Sequence, residues 1–381
     1  MLSMIALPLI VACGDDEEKG GLIDGKGEKN QNYESKTTAY FPYQFPVHTL
    51  VLGNDIYDNT LDNEHKCQIW SSMARVFDNG REGYIDNNIG LNASVDIVVD
   101  ETLCDNLYFI GDNLRPTDPV LPMPKNYYQL SSNALIYNND TRGYVEVQFT
   151  DAFFNDSKSI EKTYVIPLVM TGAKGIDKIL TGKPYEGRTP SRTCIEDWEV
   201  RAMDYVLYCV KYMNPWQGKY IRRGIDKVTE KGETTKVVRK DTSLVNSDPE
   251  HYKENPVNQK DEICRITTKN MTQANFPVSF KTSGASISCN LVLTFNGNYC
   301  TISTDDEGVE AFGHGEFITK GTERPEYKDY QWESNKEHDI LRLSYNVNFI
   351  NNNIHVSTND TLVVQTRETS LREFFSTIYV K

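Results

Sequence analysis

Tyr144-Val-Glu-Val-Gln-Phe149 alternates without a break: Tyr144, Glu146 and Gln148 fall on one side of an extended chain, and Val145, Val147 and Phe149 on the other. Successive side chains of a strand point to opposite faces, so this pattern predicts a strand with one face in a core and one in water. Outward from it, Ala93-Ser-Val-Asp-Ile-Val-Val99 keeps the same period, and Ala39-Tyr-Phe-Pro-Tyr43 opens the series. Thr163-Tyr-Val-Ile-Pro-Leu-Val169 is apolar on both faces, as a strand covered on both sides would be. Its Pro167 argues for an edge or a bulge, because proline cannot donate to a ladder. Asn, Asp, Gly and Pro separate these runs, and short strands at such spacing predict a β-sandwich. Helical signal is confined to residues 195–205 and to a turn at 371–375.

The second half reads as a separate β module. Tyr205-Val-Leu-Tyr-Cys-Val-Lys-Tyr212 alternates, Asn214-Pro215 turns the chain, and Trp216-Gln-Gly-Lys-Tyr220 starts another strand. Strand-like runs follow at 236–239, 263–268, 278–281, 286–295, 299–303, 308–319, 339–348 and 353–365. They suffice for an up-and-down barrel of about eight strands. Asn296-Gly297 between two of them predicts a type I′ hairpin.

Composition limits the function classes. With 381 residues, roughly 150 per domain gives two or three domains. Hydrophobic residues make up 39% of the chain, enough for real cores. The mean hydropathy is −0.53, and no run after the N-terminus has the length a bilayer span requires. A formal charge of −14 argues against a phosphate backbone as the partner, so no nucleic acid is expected, and fits neutral or cationic ligands better. The 22 Tyr favour strands. Apart from Cys13, seven cysteines (67, 104, 194, 209, 264, 289 and 300) form no CxxC pair. They read as buried free thiols, the alternative being a disulfide, best placed between Cys289 and Cys300. Cys/His spacing for a metal is absent, and no motif calls for a cofactor.

The N-terminus carries an address. Residues 2–12 are apolar apart from Ser3 and end in Leu9-Ile-Val-Ala-Cys13, a stretch that resembles a lipoprotein signal peptide with its lipobox. That resemblance implies cleavage after residue 12 and lipidation of Cys13. One departure is visible: no Lys or Arg precedes the apolar run. The acidic cluster Gly14-Asp-Asp-Glu-Glu-Lys19 resembles the signal that exports lipoproteins of gut Gram-negative anaerobes to the exterior face of the outer membrane. Residues 13–36 then read as a flexible acidic tether.

Several segments together resemble known modules. Tyr40-Phe-Pro-Tyr-Gln44, Leu52-Gly53, Asn59-Thr-Leu-Asp-Asn63, Leu121-Pro122 with Tyr127-Tyr128, and Gln148-Phe-Thr-Asp-Ala-Phe-Phe154 with 163–168 form an ordered set. It resembles the N-terminal immunoglobulin-like sandwich of surface lipoproteins from polysaccharide-utilisation loci (domain of unknown function 1735). Trp332 to Ser344 and Asp360-Thr-Leu-Val-Val364 resemble the lipocalin-like domain that follows it (domain of unknown function 5627). Trp216, two residues before Gly218, resembles the indole that closes the base of lipocalin-like barrels. The expected fold is therefore all-β, with an immunoglobulin-like β-sandwich over 37–204 and a lipocalin-like up-and-down β-barrel over 205–381.

Catalytic motifs are missing: no GxSxG, HExxH, P-loop or dinucleotide fingerprint occurs, so no enzyme is expected. His314 lies between Gly313 and Gly315, where paired glycines mark a bend or close packing. His338 and Asp339 are neighbours and face opposite ways. Acid groups at Asp96, Asp100 and Glu101, and at Asp305, Asp306 and Glu307, read as solvated turns. They leave a small glycoside hydrolase or esterase as a third reading. Sugar binding needs an aromatic face flanked by polar side chains. Trp332, following Tyr327 and Tyr330, is the first candidate, with rim packing as its alternative; Trp70 and Tyr84 come second. The function expected is a lipid-anchored, exterior-facing outer-membrane protein that binds a poly- or oligosaccharide. Its alternative is a structural partner of an outer-membrane nutrient transporter or of sibling lipoproteins.

Overall fold

The computed structural model describes residues 35–77, 82–83, 92–111, 113–239, 262–321, 331–333 and 336–381. The first module contains β1 (Ser35–Tyr40), β2 (Pro46–Val51), β3 (Lys66–Phe77), β4 (Asn92–Val99), β5 (Leu107–Ile110), β6 (Pro116–Pro119), β7 (Ala134–Asn138), β8 (Arg142–Phe149), β9 (Tyr164–Lys174) and β10 (Tyr205–Met213). Pairing runs β1–β3–β8–β7–β4–β9–β10–β2. Strands β7 and β8 share a single register pair, Ile136 with Tyr144, and there the sheet folds over itself. Ala39, Ile69, Val145 and Val147 on one side and Val95, Ile97, Ile166 and Val206 on the other then form one core.

The two-sided strand is real, and a neighbour shares the property. Ile166, Leu168 and Met170 of β9 enter the sandwich core. Val165 and Val169 enter a second core with Leu207 and Cys209 of β10, beneath a small three-stranded sheet that includes β5 and β6. Pro167 differs from expectation. It sits inside the sheet, between β10 and β4. Its carbonyl accepts from the Asp100 N–H at 3.0 Å, so its missing N–H faces the same edge. There the neighbour of β9 changes from the short strand Leu121–Pro122, paired at Tyr164 and Val165, to β4, paired from Leu168 onward. No ladder bond is lost at that gap.

The run 205–212 also belongs elsewhere than expected. β10 pairs antiparallel with β9 and parallel with β2, so it is a strand of the first module and the chain leaves at Asn214. Residues 195–205 form no helix beyond a 3-10 turn at Ile195–Asp197, followed by a short strand at Trp198–Val200.

The barrel comprises β11 (Gly218–Glu230), β12 (Glu233–Arg239), β13 (Glu262–Thr268), β14 (Gln273–Phe280), β15 (Ile287–Asn296), β16 (Tyr299–Thr304), β17 (Val309–Ile318), β18 (Ile340–Phe349) and β19 (Ile354–Thr366). All but β12 form an eight-strand antiparallel ring closed by β11 pairing with β19, while β12 extends the β11 hairpin beyond it. Alternation fills the interior with Tyr220, Phe276, Phe280, Leu291, Leu293, Leu341 and Tyr345, each at most 1% exposed. Trp216 closes one end, stacked on Phe295 at 3.7 Å between ring centroids. The hairpin predicted at Asn296-Gly297 is displaced by one residue. Asn296 pairs with Tyr299, the turn is Gly297-Asn298, and only Gly297 has positive φ (61°), the type II′ pattern rather than I′.

The tail does not stay with the barrel. Its turn at 371–375 is instead the strand β20 (Glu373–Phe374), which pairs with β2, and β21 (Thr377–Tyr379) pairs with β5.

Candidate functional site

The outer face of β3 and β8 presents the best-formed aromatic surface among the expected residues. Alternation turns Cys67, Ile69, Val145 and Val147 into the core and leaves Gln68, Trp70, Ser72, Arg142, Tyr144 and Glu146 on the outside. Register places Trp70 directly opposite Tyr144, Ser72 opposite Arg142 and Gln68 opposite Glu146. The Trp70 and Tyr144 rings lie 4.7 Å apart at 42°, and the Arg142 guanidinium stands 5.2 Å from the indole centroid. Trp70 is 39% exposed and Ile136, paired with Tyr144 on the next strand, is 38% exposed. The result is an apolar platform of two tilted rings with a guanidinium, a hydroxyl, an amide and a carboxylate at its margin. Such a surface can take the C–H face of a ring while polar groups at its edge bond hydroxyls.

Other expected residues fall differently. Cys13, Tyr84, Tyr327 and Tyr330 lie outside the described residues, and Trp332 belongs to a short strand, Gln331–Glu333, paired with Lys336–Glu337. His338 and Asp339 do face apart: His338 Nδ1 lies 3.0 Å from the Val364 carbonyl, while Asp339 is buried and accepts from the Lys320 N–H at 2.7 Å. Gly313 and Gly315 face the barrel interior, where an ideal Cβ on Gly315 would lie 2.4 Å from Leu343 Cδ2. Close packing is therefore the reason for both glycines, and His314 between them faces outward. The seven cysteines of the folded body are free and buried, and Cys289 and Cys300 pair across strands with Val278 and Phe295 rather than with each other. No group of three or more His, Cys, Asp or Glu among the described residues could hold a metal ion.

Sequence reasoning found Trp70 but not its partners. The alternation of β8 already placed Tyr144 and Glu146 on one face; what it lacked was the register that sets Tyr144 against Trp70.

Comparison with known proteins follows the same division of the chain. Residues 215–368 match the Domain of unknown function (DUF5627), and residues 33–177 match an N-terminal-domain family model. A crystal structure of a structural-genomics protein of unknown function from Bacteroides ovatus is 36% identical, with a TM-score of 0.77 over 91% of this chain and 100% of that one. The chain belongs to one family with this Bacteroides ovatus protein, and its residues 215–368 form a DUF5627 domain. A Bacillus subtilis protein, ywiB, covers 39% of the chain at 4% identity and a TM-score of 0.18. None of the curated proteins matches. The DUF5627 match starts one residue after Asn214 and ends one residue after Arg367, which are the points where the chain enters and leaves the barrel.

Proposed function

We propose that this DUF5627 protein binds glycan at the bacterial surface, held to the outer membrane by lipid on Cys13, and assists capture of polysaccharide or glycoconjugate. The observation that carries the reading is the solvent-facing Trp70–Tyr144 pair with Arg142 beside it. A monomer gains nothing in its own core by leaving an indole on a sheet face, whereas a sugar ring stacks there readily. The acidic balance of the chain agrees with an uncharged ligand. The test is a glycan array and affinity gels with the protein lacking residues 1–34. Binding to at least one polysaccharide or mucin glycan is expected, and Trp70→Ala weakens it about tenfold, the loss of one aromatic stack. Absence of binding across the array would refute the reading. Labelled palmitate, incorporated by wild type but not by Cys13→Ala, tests the anchor separately.

A second reading, an assembly partner of an outer-membrane transporter or a sibling lipoprotein, has one observation in its favour. Tyr43 and Phe374 pack with ring centroids 4.9 Å apart while both remain nearly half exposed, an apolar pair at the edge of the sandwich. Crosslinking from a photoreactive residue at position 374 in intact cells would capture a membrane partner under this reading and none under the first.

A further inference from the structure

We infer that the outer wall of the barrel carries a second saccharide site, separate from the Trp70 platform. Ladder register builds it from five adjacent strands. One cross-strand row on the outer face reads Ile225–Asn359–Ser344–His314–Thr301, and the next reads Arg223–Thr361–Arg342–Glu316–Tyr299. Side chains opposite one another on such a face stand about 5 Å apart, the scale of neighbouring hydroxyls across a sugar ring. Between the rows lies a cleft of about 540 Å³, within the range of small-ligand sites.

The chemistry of the lining selects the ligand class. Among the described residues, the side chains of Ser344, Asn359, Thr361 and His314 have no hydrogen-bond partner, so two hydroxyls, an amide and an imidazole point into the cleft with their capacity unspent. Arg342 and Glu316 stand opposite each other, which leaves the lining close to neutral and poorly suited to a phosphate or a polyanion. Tyr299 is 60% exposed at one end and offers a ring face. The adjoining row, Lys227–Ser357–Asn346–Phe312, extends the same mixture of polar groups and an aromatic. Mixed donors and acceptors around an exposed ring, with Arg342 balanced by Glu316 in the cleft itself and the cations Arg223 and Lys227 only at its border, match a neutral oligosaccharide.

Six His and four Trp in the chain make a site-resolved test practicable. The full-length protein in detergent micelles, labelled with 15N-histidine and 5-fluorotryptophan, is titrated with neutral tetrasaccharides of glucose, mannose, galactose and xylose. With at least one of them, the His314 ring signals are expected to shift saturably in wild type and equally in Trp70→Ala. Asn359→Ala and Tyr299→Ala each weaken that titration about three- to tenfold, as loss of one hydrogen bond or one stacking face does, with melting temperature unchanged. If the Trp70 fluorine moves while His314 stays fixed, the barrel site is refuted and the platform stands. A His314 shift that disappears in Trp70→Ala is transmitted from the platform, and also refutes the barrel site. If neither signal moves with any sugar, both sites fall.

Discussion

Arg222 extends into the barrel interior with its guanidinium wholly out of water. Nε donates to Asp360 at 2.9 Å, Nη1 to Glu262 at 2.8 Å and Nη2 to the Tyr345 hydroxyl at 3.0 Å. The Tyr345 hydroxyl in turn donates to Asp360 at 2.7 Å, and Phe276 and Phe280 flank the cation at 5.5 and 5.7 Å. Burial works against the charge, but Asp360, Tyr345 and Glu262 outweigh it and hold the guanidinium well above the usual arginine range. Removing one partner strands the other in a dry core. Arg222→Ala is therefore expected to cost about 3–5 kcal/mol by chemical denaturation, while Arg222→Met with Asp360→Leu recovers most of it. Burial acts on the thiols too, pushing Cys104, Cys209, Cys264, Cys289 and Cys300 up to about 12. Because the thiolate is the reactive form, iodoacetamide at about pH 8 should leave the seven buried cysteines unmodified in the native protein. In guanidinium without reductant it should label all seven, read by mass spectrometry; a pair left unlabelled would reveal a disulfide.

At the scale of elements, glycine and proline decide where the barrel wall is tight and where it parts. An ideal Cβ on Gly313 would lie 2.4 Å from the Ser344 carbonyl oxygen and 2.5 Å from Tyr345 Cβ. Both neighbours belong to the backbone frame of β18, so neither can turn aside. Gly313→Ala should therefore lose about 1–3 kcal/mol to overpacking, measurable as an earlier denaturation midpoint. Pro277 does the opposite. The Gln273 carbonyl accepts from the Lys269 N–H, so alternate residues of β14, Pro277 among them, turn their backbone toward β13. The missing N–H there ends the β13–β14 ladder after Thr267–Asn275, and a side cleft of about 460 Å³ opens between the strands. Much of this was legible from period-two alternation, which identified strands in both modules and the two-sided burial of β9. Alternation reports which face a residue occupies, not which strand lies beside it. That is why Tyr205–Met213 reads as the first barrel strand although its partners are β9 and β2, and why Pro167 reads as an edge. The same limit hides the binding surfaces. Trp70 stands out as a lone aromatic, but Tyr144 and Arg142 join it only through register, and the barrel cleft gathers residues from 225 to 361 that no local pattern connects.

For the whole molecule, the decisive feature is that the first module is not a continuous segment. The chain enters the barrel at Asn214 and leaves at Arg367, whose buried guanidinium donates to the carbonyls of Asn54 at 2.9 Å, Leu52 at 3.2 Å and Asn214 at 2.8 Å. Entry and exit are thereby fastened to one another and to the loop after β2, and the barrel is in effect an insertion into the sandwich. The remaining residues return to complete the second core: β21 lies along β5, and Phe375 packs between Phe45 and Phe109 with ring centroids 5.4 and 5.2 Å away. Since the barrel ring closes without these residues, damage to the tail should be felt far from it in sequence. Phe375→Ala removes a side chain only 6% exposed and is expected to destabilise the first module by about 3–5 kcal/mol. Single-Trp variants retaining either Trp70 or Trp216 separate the two modules by fluorescence during guanidinium denaturation. In Phe375→Ala, the Trp70 transition should move to lower denaturant while the Trp216 transition holds its midpoint. A common shift of both would instead mean that the Arg367 joint couples the modules into one cooperative unit, and Arg367→Ala should then restore two separate transitions.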